Sequence, residues 1–143
     1  MVLSPAAAGL KSESAPKGKA FGDLLQDAPA SVSRGSSISV SFVGGSLRNL
    51  PSEFETFLSV ERRVEGAAGT TWEVVATDSD PETRLMASRE ASHVRVTIQW
   101  DVPSDATPGD YRISHSGAWL KWHLLSKDTP TKYSGVSATF AVA

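Results

Sequence analysis

The chain has 143 residues, no cysteine, 14 basic against 16 acidic side chains and a formal net charge of -2. Without cysteine it can form no disulfide, thiolate zinc site or cysteine nucleophile, and the slightly acidic balance argues against a generic nucleic-acid-binding surface. The length suits one domain, or one domain with a tail, large enough to bury a core without covalent staples.

Residues 1–19 are rich in Ala, Ser, Gly, Pro and Lys, with few large apolar side chains beyond Val2, Leu3 and Leu10. Such a stretch buries too little surface to offset its ordering entropy, so it reads as a flexible leader, either a linker or a frayed terminus, ahead of a domain over 20–143. It has neither the basic n-region nor the apolar h-region of a signal peptide. No apolar run reaches the ~18 residues of a membrane-spanning helix. The sole asparagine, Asn49, is followed by Leu50-Pro51, which rules out a glycosylation sequon.

From Phe21 onward the hydrophobic period is two. Ile38, Val40 and Phe42 alternate with serines. Thr56, Leu58, Val60 and Val64 share one face of a second strand. Trp72, Val74 and Ala76 alternate with Glu73, Val75 and Thr77. Val94, Val96, Ile98 and Trp100 alternate with His93, Arg95, Thr97 and Gln99. Tyr111 and Ile113 follow, and Val136, Ala138, Phe140 and Val142 read as one closing strand. The only helical candidates, 21–26 and 88–91, are short and weakly periodic. Between the strands lie Gly44-Gly45, Gly66 to Gly69, Asp78 to Pro81 and Thr129-Pro130, all turn chemistry.

The run from Trp100-Asp101-Val102-Pro103 through Asp105, Pro108 and Gly109 to Tyr111-Arg112-Ile113 is a corner between two extended segments. A tyrosine just past such a corner can bury its ring and bond its hydroxyl to upstream backbone, as in the tyrosine corner of immunoglobulin-like sandwiches. The expected fold is therefore all-β: an immunoglobulin-like antiparallel β-sandwich of about seven to eight strands.

No residue set reads as a catalytic site. His93, His115 and His123 form neither an HxH nor an HExxH pair, and there is no GxSxG elbow. His93 falls on the polar face of its strand and is expected in solvent. His115 falls on the inward face, as a hydrogen-bonded histidine at a strand end. The acidic turn Thr77-Asp78-Ser79-Asp80-Pro81-Glu82-Thr83 gathers oxygens that suit a hard cation, although acidic turn residues also cap turns and face water. The segment 119–125, WLKWHLL, holds more apolar bulk than one strand face buries. It reads either as a strand covered on both faces or as a patch that docks another domain or lipid.

Several pieces, in order, resemble the C-terminal domain of the neutral/alkaline non-lysosomal ceramidase family. Phe21-Gly22-Asp23-Leu24-Leu25 resembles the family's FGDVL, and Arg34-Gly35 through Phe42-Val43-Gly44 resembles the strand after it. Arg48-Asn49 matches part of a GANPRN loop, and Thr56-Phe57-Leu58-Ser59-Val60-Glu61 matches TFLTVE. Trp72-Glu73-Val74-Val75-Ala76-Thr77-Asp78 with Glu82-Thr83-Arg84 is similar to W-x-x-V-x-x-D…[DE]-T-R. Trp100-Asp101-Val102-Pro103 and Pro108-Gly109-Asp110-Tyr111-Arg112-Ile113 resemble WDIP and PGxYRI. The likeness covers about 20–143. Departures are the missing Asn-Pro before Arg48-Asn49, and Leu85-Met86-Ala87 where the family tends to place aromatic residues.

The resemblance implies a non-catalytic immunoglobulin-like domain appended to a zinc amidase that cleaves the N-acyl bond of ceramide to sphingosine and fatty acid. The zinc ligands would lie upstream, outside this chain. It further implies a Mg²⁺ or Ca²⁺ at the interdomain interface, for which Asp80 and Thr83 would form this domain's half-site. The covalently linked catalytic domain would be the main partner. Trp119, Leu120 and Trp122 would be the residues touching that partner or a membrane surface, and the location would be secreted or membrane-associated. The fold alone leaves the alternative of a free-standing binding or adhesion module.

Overall fold

The computed structural model describes residues 2–3, 12–46, 56–121 and 130–143, the first two by backbone alone. In chain order the strands are β1 (Val2–Leu3), β2 (Leu24–Gln26), β3 (Ser31–Val32), β4 (Ser37–Gly44), β5 (Leu58–Gly66), β6 (Gly69–Thr77), β7 (Thr83–Glu90), β8 (His93–Asp101), β9 (Gly109–Trp119), β10 (Thr131–Val136) and β11 (Phe140–Val142). No helix occurs among the described residues: 21–26 holds a turn and β2, and 88–91 lies on the end of β7 and its turn. One sheet runs β1-β7-β8-β4-β2 and the other β3-β11-β9-β5-β6, with β10 continuing beside β9. The expected all-β sandwich is present. Most pairings are antiparallel, but β1–β7 and β3–β11 are short parallel pairs.

The core follows from alternation in register. Ile38, Val40 and Phe42 on β4 stand opposite Trp100, Ile98 and Val96 on β8, so both apolar sets share one face. Val60 opposes Ile113 and Leu58 opposes His115 across β5 and β9. These side chains interleave between the sheets, and Val40, Phe42, Val60, Val96, Ile98 and Ile113 are wholly buried. At ~1.5–3 kcal/mol for each fully buried aliphatic or aromatic side chain, this layer supplies the main driving force for folding.

The corner after Trp100 forms as the sequence predicts: the Tyr111 hydroxyl donates to the Thr107 carbonyl at 2.5 Å, and the ring packs on Trp100, centroids 5.2 Å apart. Three patterns differ from strict alternation. Opposite β5, a bulge on β6 moves the pairing from Val60–Ala76 to Glu61–Val74. An extra residue in one strand reverses the facing beyond it, so Ala76 is buried while Val74, expected inward, stands in solvent. The closing strand is broken. Ser137 turns inward between β10 and β11, accepting the Ile113 N–H at 2.9 Å and donating to the Ala138 carbonyl at 2.9 Å, and Val136 and Ala138 are exposed. β7, with Leu85 fully buried, carries no clear period in the sequence and is positioned by pairing with β8 over its whole length.

Within the segment read as a flexible leader, residues 12–19 make defined contacts with the sandwich. Glu13 is 2% exposed; its N–H donates to the Leu120 carbonyl at 2.7 Å, and its carboxylate accepts the Ser46 and Leu120 N–H groups. The Ser14 N–H donates to the Ser92 carbonyl at 2.8 Å. A polar segment is held here by hydrogen bonds to strand ends rather than by apolar burial, and composition does not register that.

Candidate functional site

The turn joining β6 to β7 places Asp80 and Thr83. The Asp80 carboxylate accepts the Thr77 N–H at 2.8 Å, closing the turn through its side chain. The Thr83 hydroxyl faces the carbonyls of Thr77 and Asp80, each at 2.9 Å, and Thr83 is fully buried. The Thr77 and Ser79 hydroxyls lie 2.8 Å apart, and Asp78 and Asp80 are half-buried. The structure thus brings Asp80 and Thr83 together, but in unequal roles. Thr83 is turned inward and wholly buried, which keeps its hydroxyl oxygen from an ion at the surface of the turn. The Asp80 carboxylate has only one oxygen in its bond to the Thr77 N–H, so the donor set fits a hard cation through Asp80. Among the described residues no three His, Asp or Glu side chains converge as a metal-binding group.

At the opposite end of β9, Trp119 stacks on Phe21 with centroids 4.6 Å apart and planes 7° from parallel, and Phe21 meets Tyr133 at 5.9 Å. Trp119 and Leu120 are half-buried, and Leu120 is fastened through its backbone to Glu13. A groove of about 680 Å³ runs beside them, lined by Phe21, Trp119, Tyr133, Lys121 and Lys132 among others. Trp122, the third residue assigned to this patch, lies outside the described residues, as does His123.

His115 is 1% exposed and sits within β9 rather than at its end. Its Nδ1 lies 2.7 Å from the Phe57 carbonyl, which only accepts, so Nδ1 carries the proton. Nε2 then accepts from the Tyr133 hydroxyl at 2.9 Å, and the same hydroxyl accepts the Gly45 N–H at 3.1 Å. Burial pushes the His115 pKa down to about 4, against the smaller opposing effect of the Phe57 carbonyl, and pushes the Tyr133 hydroxyl up. The neutral ring is a structural link between sheet and loop. Gly117 makes room for it: a Cβ there would fall 2.3 Å from the Tyr133 hydroxyl oxygen. Tyr133 escaped sequence reasoning because its partners lie 18 and 88 residues away.

His93, expected in solvent, is 6% exposed. The segment holding Glu13 and Ser14 bonds to Ser92 beside it, and Glu90 lies 3.6 Å from its Nε2. Cover arriving from far along the chain overrides the strand's own polar face.

On the outer face of the β5-β6-β9 sheet, Arg112 donates to Glu61 at 2.7 Å and lies over the Trp72 ring, 4.1 Å from its centroid. Burial raises the Glu61 pKa, but the bonds from Arg112, Ser59 and Ser114 outweigh it and hold the carboxyl below its ordinary value. Trp72 is therefore an outward, cation-capped side chain rather than a core residue.

Two stacked sheets, with an acidic turn at one end and an aromatic patch at the other, place the chain in the class of β-sandwich domains. The family description "Neutral/alkaline non-lysosomal ceramidase, C-terminal" matches residues 5–142. The chain is 34% identical over 132 residues to neutral ceramidase B of Dictyostelium discoideum, covering 91% of this chain and 18% of that protein. It is 38% identical over 101 residues to the neutral ceramidase of Pseudomonas aeruginosa, covering 70% and 15%. The crystal structure of the P. aeruginosa enzyme superimposes with a TM-score of 0.81 at 32% identity, over 95% of this chain and 21% of that one. This chain belongs to the neutral/alkaline non-lysosomal ceramidase family and corresponds to its C-terminal domain. It spans about a fifth of the length of these relatives.

Proposed function

We propose that the chain is the non-catalytic C-terminal module of a neutral-ceramidase-like hydrolase and stabilises the catalytic portion to which it is linked. The parent activity would be hydrolysis of the N-acyl amide of ceramide to sphingosine and fatty acid, with the zinc chemistry supplied entirely by that portion. The observation that carries the reading is the match over residues 5–142 to a C-terminal family domain, in relatives about five times longer. It also weighs against a free-standing adhesion module.

Two finer roles belong to the same proposal. Asp80 offers a carboxylate oxygen to a Mg²⁺ or Ca²⁺ shared with the catalytic portion, and Thr83 holds the turn that presents it. An ion held from this side by so few ligands binds weakly until the partner adds its own. At the other end, Trp119 and Leu120, with Lys121 beside them in sequence, would meet a lipid surface, and the sequence adds Trp122 to the same contact.

The test is direct. The isolated chain, incubated with fluorescent ceramide and zinc, is expected to give no turnover, while the full-length hydrolase inactivates more slowly on heating than the enzyme lacking the module. Turnover by the chain alone, or equal inactivation rates, would overturn the reading.

A further inference from the structure

The groove at the Trp119 end of the sandwich holds about 680 Å³, within the ~300–1,000 Å³ of ordinary small-molecule sites. Its walls come from stretches far apart in sequence: 13–15, Phe21, and the paired strands β9 and β10 with Lys121 just beyond. They are held in place before any ligand arrives. Trp119 stacks flat on Phe21, and Phe21 in turn meets the Tyr133 ring. The Tyr133 hydroxyl is committed to His115 and Gly45, which fixes that ring. Glu13 fastens the remaining wall to the Leu120 backbone. Aromatic walls ordered in advance bind an apolar group with little further ordering cost.

The charge of the groove has one sign. Glu13 is the sole carboxylate among its described lining residues. It is 2% exposed, and its two carboxylate oxygens accept the N–H groups of Ser46 and Leu120, so its charge is spent inside the fold. Lys121 and Lys132, by contrast, are exposed. Apolar walls thus carry a basic rim.

We propose that the groove binds a long-chain fatty acid, with its acyl chain against Phe21, Trp119 and Tyr133 and its carboxylate at Lys121 and Lys132. Charge complementarity selects an anionic head, and the aromatic walls select an apolar chain. The size of a single small-molecule site favours one chain over a two-chain phospholipid. The inference goes beyond the module reading and requires neither the linked catalytic portion nor the contact with a lipid surface.

Calorimetric titration of the 143-residue chain with monomeric hexadecanoate tests it. One equivalent is expected to bind. Ala20→Trp fills the groove from an exposed position and should abolish binding. Lys121→Ser with Lys132→Ser should weaken hexadecanoate about tenfold and leave hexadecanol unchanged. Both variants should melt like wild type, since all three side chains stand in solvent. In the full-length hydrolase, a photoreactive fatty acid should label peptides holding Phe21, Trp119 or Tyr133, and Ala20→Trp should lose that label. Equal hexadecanoate binding by wild type and Ala20→Trp would overturn the site, as would absence of the label from those peptides. Binding confined to phosphatidylserine vesicles would overturn it as well, by assigning the lysines to a membrane headgroup.

Discussion

His115 and Tyr133 share a buried hydrogen bond, Nε2 to hydroxyl at 2.9 Å, that joins the middle of β9 to the strand beside it. Gly45 adds its N–H to the same hydroxyl from the end of β4, in the other sheet. One phenol thus ties the two sheets at the end of the sandwich where Trp119 and Phe21 stack.

This pair makes stability depend on pH. Folded His115 titrates near 4, against 6.5 for the free side chain. Between those values the unfolded chain binds more protons, so stability is full above pH 6.5 and falls as the pH drops toward 4. The loss from this group is about 3 kcal/mol. Urea unfolding at pH 7 and pH 4.5 measures it. A His115→Asn variant should be less stable at pH 7 and show a flatter pH dependence, and parallel losses in both proteins would refute the assignment.

Glu13→Ala removes the acceptor of two N–H groups, those of Ser46 and Leu120. Leaving buried donors unpaired costs about 2–3 kcal/mol. The loss should appear in chemical denaturation, with faster amide exchange at Leu120. A change below about 0.5 kcal/mol would return this segment to the status of a loose leader.

Thr83→Val tests the turn separately from any ion. The change keeps the buried shape but removes the hydroxyl that bridges the Thr77 and Asp80 carbonyls, at a cost of about 1–2 kcal/mol in metal-free buffer. Adding Ca²⁺ or Mg²⁺ should raise the melting temperature of the full-length hydrolase and not that of its Asp80→Ala variant. Equal shifts in both would exclude Asp80 as a ligand.

The β7–β8 turn offers a stabilising change. Ala91 adopts φ of 48°, a conformation that a side chain disfavours, in the two-residue turn between Glu90 and His93. Ala91→Gly should raise stability by about 1 kcal/mol, visible as a higher melting temperature.

Much of this architecture can be read from side-chain order. The alternation at Ile38–Phe42 and Val94–Trp100 fixes strands and facing together, because a period of two admits a single inward set. The Pro103–Tyr111 corner is legible for the same local reason: proline, glycine and tyrosine each impose their geometry on immediate neighbours. The turn holding Asp80 and Thr83 was visible as a cluster, yet the inward rotation of the Thr83 hydroxyl was not, since hydroxyl direction depends on which carbonyls the fold brings near.

Local pattern therefore settled that the chain would form strands and, on the regular ones, which side chains share a face, because those choices involve residues only two apart. Three-dimensional packing alone determined that Glu13 would be buried, that Val74 would be turned outward by a bulge, and that Tyr133 would join His115 to Gly45. Each of these depends on contacts between distant parts of the chain, whose energies are not expressed in any short stretch of it.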